Sequence, residues 1–374
     1  MANRIDLLSP PALKILEATP FQIGEHAIGP GHPVYVIAEL SANHQQEFEK
    51  AARLIAAAKE AGADAVKLQT YTPDTITIRS DREIFRIGGG TLWDGRTLYD
   101  LYAEAFTPWD WQPKLKQIAQ DQGLDLFSSP FDETAVDFLE GMGVPAYKVA
   151  SFELVDLPLI QKMASTGKPL IISAGMATVE EIEEALQAAR QAGARQIALL
   201  KCTSEYPSRP EEMNLRAIPE LACRFELPVG LSDHTMGIAV PVAAVALGAC
   251  IVEKHLTLSR ADGGPDGAFS LEPHEFKDMV DAVRVAEKAL GQGQIGPGDH
   301  ERGSRIFRRS LFVTEDMKRG DRFTSKNIRS IRPAHGLHTR HLSEILGRCA
   351  TRDIERGSPL DWAMISSESS PRNS

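Results

Sequence analysis

The chain has 374 residues, 43% of them hydrophobic and 25% charged, with a formal net charge of −10. That length accommodates one large domain and a smaller one, and the composition is ordinary for a globular protein. The acidic balance speaks against general nucleic-acid binding, which shows as a basic patch, but leaves room for an anionic small molecule held by local Lys and Arg. The four cysteines, Cys202, Cys223, Cys250 and Cys349, are widely spaced and form no CxxC pair. Reduced thiols in a cytoplasmic protein are therefore expected, with Cys202 and Cys250 as core residues of apolar strands. No apolar run reaches membrane-spanning length, and residues 1–20 lack the core of a signal peptide.

Residues 1–33 read as an extension followed by a hairpin or cap, marked by Gly24-Glu25 and Gly29-Pro30-Gly31. One unit then recurs as far as residue 290. Apolar strands at 34–40, 64–70, 124–129, 146–151, 169–173, 196–202, 227–232 and 250–255 alternate with helices. The helices are expected at 47–61, 108–122, 132–141, 156–166, 178–192, within 215–225, at 237–248 and at 272–290, with Asp132 and Thr178 as N-caps. Eight such strands, with no nucleotide-binding Gly-rich turn after the first, predict an α/β fold of the (β/α)8 TIM-barrel type over 34–290. The stretch 71–107 is too long for a plain connection and reads as a lid or binding loop. A Gly-rich linker spans 291–305. Residues 306–368 are expected to form a small β-rich domain from two halves that share D-[MI]-[KE]-R-G-x-x-[FL]-x4-I, starting at Asp316 and Asp353. The polar residues 369–374 read as a disordered tail.

The stretch Leu231–His255 carries strand, helix and strand, and each strand ends in a histidine, His234 or His255. Parallel strands of a βαβ unit bring these ends to one edge, where neutral imidazoles suit a metal or catalytic site. The other strand ends give Glu39 with Asn43 and His44, Lys67 and Gln69, Ser128 and Ser129, Lys148, Ser151 and Glu153, Ser173, then Lys201, Thr203, Ser204 and Tyr206. Asp233, Glu253 and Lys254 complete the set. Two strand-end lysines, Lys67 and Lys148, beside several hydroxyls suit a phosphate or carboxylate. Strand alternation leaves open whether Lys201, Lys254, Glu39 and Glu253 turn inward. Asp262 and Asp266 read either as turn residues or as substrate acceptors. A class I aldolase using Lys148 as a Schiff base and a non-catalytic saccharide-binding protein are the competing readings.

The ordered runs IAELSANH, AGADAVKLQTY, FSSPFD, YKVAS, ISAGMAT, KCTSEYP, GLSDHT and EKHLTL closely resemble the sialic acid synthases, over about residues 21–366. The resemblance implies a TIM barrel with a C-terminal antifreeze-like SAF domain of the β-clip type. It also implies condensation of phosphoenolpyruvate with an N-acetylated aldose. ELSANH, LWDGRTLYDLYAEAFTPWDW, ADGGPDGAFSLEP and IRPAHGLHTRHL are most similar to the pseudaminic acid synthases, which implies 2,4-diacetamido-2,4,6-trideoxy-L-altrose as the aldose. Neuraminate or legionaminate synthesis from a different aldose is the nearest alternative.

Carried over by motif, His234 and His255 would hold a divalent ion, Mn²⁺ first and Mg²⁺ or Co²⁺ after it. Glu39, Lys67, Lys148 and Tyr206 would be catalytic. Ser129, Ser151 and Ser173 would surround phosphoenolpyruvate with the lysines, while Gln69, Glu153 and Asp266 would face the sugar with Tyr206. Ser204 would bind substrate at a position where neuraminate synthases carry Asn, so that contact is expected to be altered. Gln45 and Gln46 replace the family's Asn-Gly, so the first loop is expected to differ in shape. Arg332 would reach the partner's barrel in a domain-swapped homodimer.

Overall fold

The structure, a computed structural model, describes residues 18–291, 293 and 295–367. The predicted extension up to residue 17 and the tail at 369–374 lie outside the described residues. The chain divides into two compact units, Met1–Gly291 and Gln292–Ser374.

Among the described residues the first elements are a hairpin, β1 (Phe21–Ile23) and β2 (His26–Ile28). A closed, fully parallel barrel follows, made of β3 (Tyr35–Glu39), β4 (Ala65–Thr70), β5 (Asp125–Pro130), β6 (Tyr147–Val149), β7 (Leu170–Ser173), β8 (Ile197–Cys202), β9 (Val229–Asp233) and β10 (Ile251–His255). The predicted (β/α)8 barrel is therefore present. Its strands are buried on both faces; every residue of β3 and of β10 is buried. Outward-facing Val36, Val66, Leu126 and Val252 share an apolar cluster with Leu54, Leu115 and Met279 from the surrounding helices. Each such side chain contributes roughly 1.5–3 kcal/mol on burial.

Local chemistry sets the helix starts. Asp132 accepts the N–H groups of Thr134 and Ala135, and Thr178 closes a capping box with Glu181. The helix Ala239–Ala246 ends just before Gly248, whose φ of 100° turns the chain into β10. The predicted helix at 108–122 is shorter: a 3₁₀ turn, Trp109–Trp111, precedes a helix over Gln112–Asp121. The stretch 71–107 is not a plain loop. It contains the helices Pro73–Ile76 and Leu98–Ala105 and a 3₁₀ turn at Glu83–Phe85.

Register decides which residues meet. Glu39 pairs with Lys67 on one side and with His255 on the other. Residues paired across neighbouring strands point the same way, so these three side chains share the lumen. At the opposite end of the barrel, His26 Nδ1 lies 3.0 Å from Asp125 Oδ2, and Tyr35 donates its hydroxyl to the same oxygen.

The second unit holds β11 (Ser310–Val313) and β12 (Ile328–Ile331), antiparallel, around Leu311, Val313, Phe323, Ile345 and Leu360. Its repeat is structural. Met317 and Ile354 exchange both backbone hydrogen bonds at 2.8 Å. Asp316 accepts from Arg356 N, and Asp353 accepts from Arg319 N, so each half fixes the turn of the other. Among the described residues no helix is long and apolar enough to cross a membrane.

Candidate active site

The C-terminal ends of the strands carry a continuous polar set, where barrel enzymes place their chemistry. Lys67 Nζ, on β4, lies 2.5 Å from Glu39 Oε2, 3.7 Å from Glu253 Oε2 and 3.5 Å from Ser129 Oγ. Glu253 Oε1 accepts from Ser232 at 2.9 Å. All of these residues are buried. Burial pushes the Glu39 carboxyl above its usual range, and Lys67 only partly offsets this. For Glu253 the balance reverses: burial raises it, but Lys148 and Lys67 outweigh burial and hold it low. Lys67 remains a cation because Glu253 and Glu39 overcome the effect of its own burial.

Among the described residues Lys148, on β6, makes no direct ion pair, although Glu253 acts on it from a distance. Its Nζ donates to Ser173 Oγ at 2.6 Å and to Val149 O at 3.0 Å, and burial draws its pKa down. An anion placed here would favour the ammonium form and gain most from it. Ser151 and Ser204 stand nearby, both in contact with Cys202 Sγ, at 3.1 and 3.8 Å. Gly175 keeps the gap between them open. A Cβ there would lie 2.6 Å from Ser151 Oγ and 2.8 Å from Ser204 Oγ.

Cys202 is buried as expected of a core residue, yet it belongs to the site rather than to the apolar packing. At the end of β8 the alternation turns it toward Ser151 and His234, while Lys201 bonds Cys202 O and Thr203 Oγ1. Burial alone would raise the thiol. Hydrogen bonding to His234 and Ser151 outweighs burial and brings it down to about 7. Cys250 does sit in packing, with Sγ on Val229 O.

The rings of His234 and His255 have centroids 5.4 Å apart. His234 Nδ1 donates to Thr203 O at 2.9 Å, and the neighbouring Cys202 thiol draws the imidazole's pKa up against the effect of its burial. His255 is held neutral by burial, reinforced by His234, and its buried Nδ1 has no hydrogen-bond partner. Among the described residues no cluster of three or more His, Cys, Asp and Glu stands in ligating arrangement. Two imidazoles, one of them with an unsatisfied buried nitrogen, fit a divalent ion that keeps its other positions for water or substrate. Ligation needs the deprotonated imidazole, and the His234 pKa is raised, so affinity should fall in acid.

Beside the histidines, Tyr206 packs on His234 at 4.4 Å and on Phe269 at 5.2 Å between centroids. Gln69 Nε2 donates to Glu39 Oε1 at 3.2 Å and to Ser41 Oγ at 3.1 Å; Ser41 in turn donates to Asp266. Asp266 thus faces the site, whereas Asp262 is a turn residue paired with Lys50 at 2.6 Å. Burial raises Asp266 above the usual carboxylate range. The stretch 71–107 reaches the same place through Trp93, which lies 5.8 Å from the Tyr206 ring and donates Nε1–H to Pro265 O at 3.0 Å.

Glu153 lies in the turn after β6, its Oε2 buried without a partner, and burial pushes its carboxyl up to about 7. A carboxyl so raised binds its proton more tightly folded than unfolded. Its contribution favours the folded state in acid and is lost as pH rises from about 4.3 toward 7. Glu153→Gln should therefore gain melting temperature relative to the parent as pH rises from 5 to 8. A difference independent of pH would contradict this.

The structure thus brings Glu39, Lys67, Gln69, Ser129, Lys148, Ser151, Glu153, Ser173, Ser204, Tyr206, His234, His255 and Asp266 to one barrel end. Arg332 belongs to the second unit, where it is exposed. Glu253, whose direction the sequence left open, turns inward, and Ser232, Cys202, Gly175 and Trp93 were absent from the sequence-derived set. The first three follow from alternation once the inward phase of His234 and His255 is fixed; Trp93 has no local signal.

The NeuB family model matches residues 54–295 and the SAF domain model matches residues 308–366. The chain is 46% identical over 327 residues to the pseudaminic acid synthase of Campylobacter jejuni, covering 87% of this chain and 95% of that protein. It is 44% identical over 330 residues to the pseudaminic acid synthase of Helicobacter pylori, covering 88% and 96%. The crystal structure of N-acetylneuraminic acid synthetase from Leptospira borgpetersenii in complex with citrate is similar with a TM-score of 0.69 at 32% identity, over 77% of this chain and 95% of that one. The chain belongs to the NeuB family, the nonulosonic acid synthases that condense phosphoenolpyruvate with an amino sugar, and carries a SAF domain after the barrel.

Proposed function

We propose that the chain is a pseudaminic acid synthase. It joins phosphoenolpyruvate, 2,4-diacetamido-2,4,6-trideoxy-L-altrose and water to give pseudaminic acid and phosphate. The observation that carries the chemistry is the pair of buried lysines, Lys67 and Lys148, set among Ser129, Ser173 and an open pair of histidines. The choice of sugar is supported by 46% identity to a pseudaminic acid synthase against 32% to a neuraminic acid synthetase.

In this reading C3 of phosphoenolpyruvate bonds to the aldehyde carbon, water adds at C2, and phosphate leaves by C–O cleavage. Lys67 and Lys148 neutralise the co-substrate's charge, and Ser129, Ser151, Ser173 and Ser204 donate to its oxygens. Glu39, raised by burial and 2.5 Å from Lys67, can hold a proton and orient the water. Gln69, Glu153, Tyr206 and Asp266 orient the aldose. His234 and His255 hold the divalent ion on which NeuB-family synthases generally depend, Mn²⁺ before Mg²⁺ or Co²⁺. When bound, such an ion supplies Lewis acidity toward a carbonyl oxygen. Arg332 completes the sugar side from the partner subunit of a domain-swapped homodimer, and the enzyme works in the cytoplasm.

A panel of N-acetylated aldoses tests the sugar. The L-altrose derivative should exceed aldoses of the neuraminate and legionaminate series in kcat/KM by about 100-fold or more. Equal or better use of another aldose would overturn the assignment in favour of the corresponding synthase.

A further inference from the structure

Directly behind the two histidines lies a second charged pair that the reaction does not touch. Lys254 Nζ is 2.5 Å from Asp233 Oδ2, and both side chains are 0% exposed. Asp233 immediately precedes His234, and Lys254 immediately precedes His255. The two residues are registered partners on β9 and β10. Alternation turns them away from the lumen that the histidines face.

We propose that the Asp233–Lys254 pair is the positioning device of the two-histidine site, acting through the backbone of Thr235. Asp233 Oδ1 accepts Thr235 N–H at 3.0 Å, and Oδ2 accepts the Thr235 hydroxyl at 3.1 Å. Lys254 Nζ donates to Thr235 O. The amide and the carbonyl of Thr235 are thereby both held by side chains behind the barrel wall. His234, between Asp233 and Thr235, is fixed from both sides: its carbonyl accepts Ser208 N–H at 3.0 Å and its Nδ1 donates to Thr203 O. The same ion pair locks β9 against β10 one residue before His255, so one device sets both imidazoles.

A stability role alone does not account for the pair. A buried ion pair gives little net stability over an apolar pair of the same volume. What it provides is direction: a carboxylate and an ammonium can cap an amide and a carbonyl at once, which an apolar pair cannot. Partners behind metal-ligating histidines set ligand orientation and typically govern affinity by 10–100-fold.

The inference rests on the reading of His234 and His255 as cation ligands, and the experiment separates the two. Mn²⁺ binding to the full-length protein is measured by titration of the free-ion EPR signal, alongside thermal melting and the KM for phosphoenolpyruvate. The variant Asp233→Asn/Lys254→Met leaves no unpaired buried charge and retains an acceptor for Thr235 N–H. It should stay folded, keep the KM for phosphoenolpyruvate, and bind Mn²⁺ roughly 10–100-fold more weakly. Thr235→Val, which removes only the hydroxyl bond to Asp233, should show a smaller loss in the same direction and keeps the question open to test if the double variant fails to fold. Unchanged Mn²⁺ affinity in whichever of these variants folds would overturn the positioning role. If the parent protein itself takes up no Mn²⁺, the two-histidine reading fails, and this inference with it.

Discussion

Replacement of Lys148 by methionine is expected to lower kcat/KM for phosphoenolpyruvate by about 10²–10³-fold, the loss that follows removal of one preorganised donor from a water-poor site. Lys148 is the more informative of the two lysines. Lys67 is neutralised by Glu39 and Glu253, so its removal would strand two buried carboxylates and confuse stability with function. Lys148 bonds only Ser173 Oγ and Val149 O among the hydrogen-bond partners of its ammonium. Methionine conserves its length and volume. Burial disfavours the ammonium while Glu253 favours it, so the change in melting temperature should be small beside the loss of turnover. Steady-state kinetics with a melting curve separate these effects. A kcat/KM for phosphoenolpyruvate within about threefold of the parent, judged against that expected loss, would remove Lys148 from the anion site.

The second large effect is expected from His234→Ala. With one of the two proposed ligands gone, divalent-ion binding should be lost and turnover should fall by about 10³-fold or more, since Lewis-acid stabilisation is worth several kcal/mol. The barrel should survive. The imidazole's bond to Thr203 O contributes on the order of 1 kcal/mol, and the strand remains fixed by its ladder with β10. Chelation of the parent enzyme should reproduce the loss reversibly, with activity restored by Mn²⁺. Full turnover after exhaustive chelation would defeat the metal reading, whatever the variant does.

The fold was legible because eight apolar runs alternate with capped amphipathic helices, a pattern that few architectures satisfy. The two histidines were legible for the same reason: their place at matching strand ends puts them on one rim. Hydropathy did not reveal which strand residues face the lumen. In a barrel of parallel strands both faces are buried, so the sequence lacks the apolar–polar alternation that would show the phase. Glu253 and Lys254 are adjacent and both buried, yet one enters the lysine cluster and the other serves the opposite face. Cys202 was read as packing on the same ground. Trp93 belongs to a different class of miss. Its hydrogen bond to Pro265 spans 172 residues, and nothing in the local run Gly90–Arg96 announces a contact with Tyr206.

The lysine and histidine groups are argued to be halves of one condensing site, and orthophosphate release from phosphoenolpyruvate tests that most directly. Metal-stripped protein is assayed with the L-altrose derivative, Mn²⁺ and each component omitted in turn, with a parallel arm in which borohydride is added to protein and pyruvate. Phosphate should appear only when aldose and divalent ion are both present, and borohydride should trap nothing on Lys148. Release without the ion, release without the aldose, or a reduced adduct at Lys148 would contradict the account.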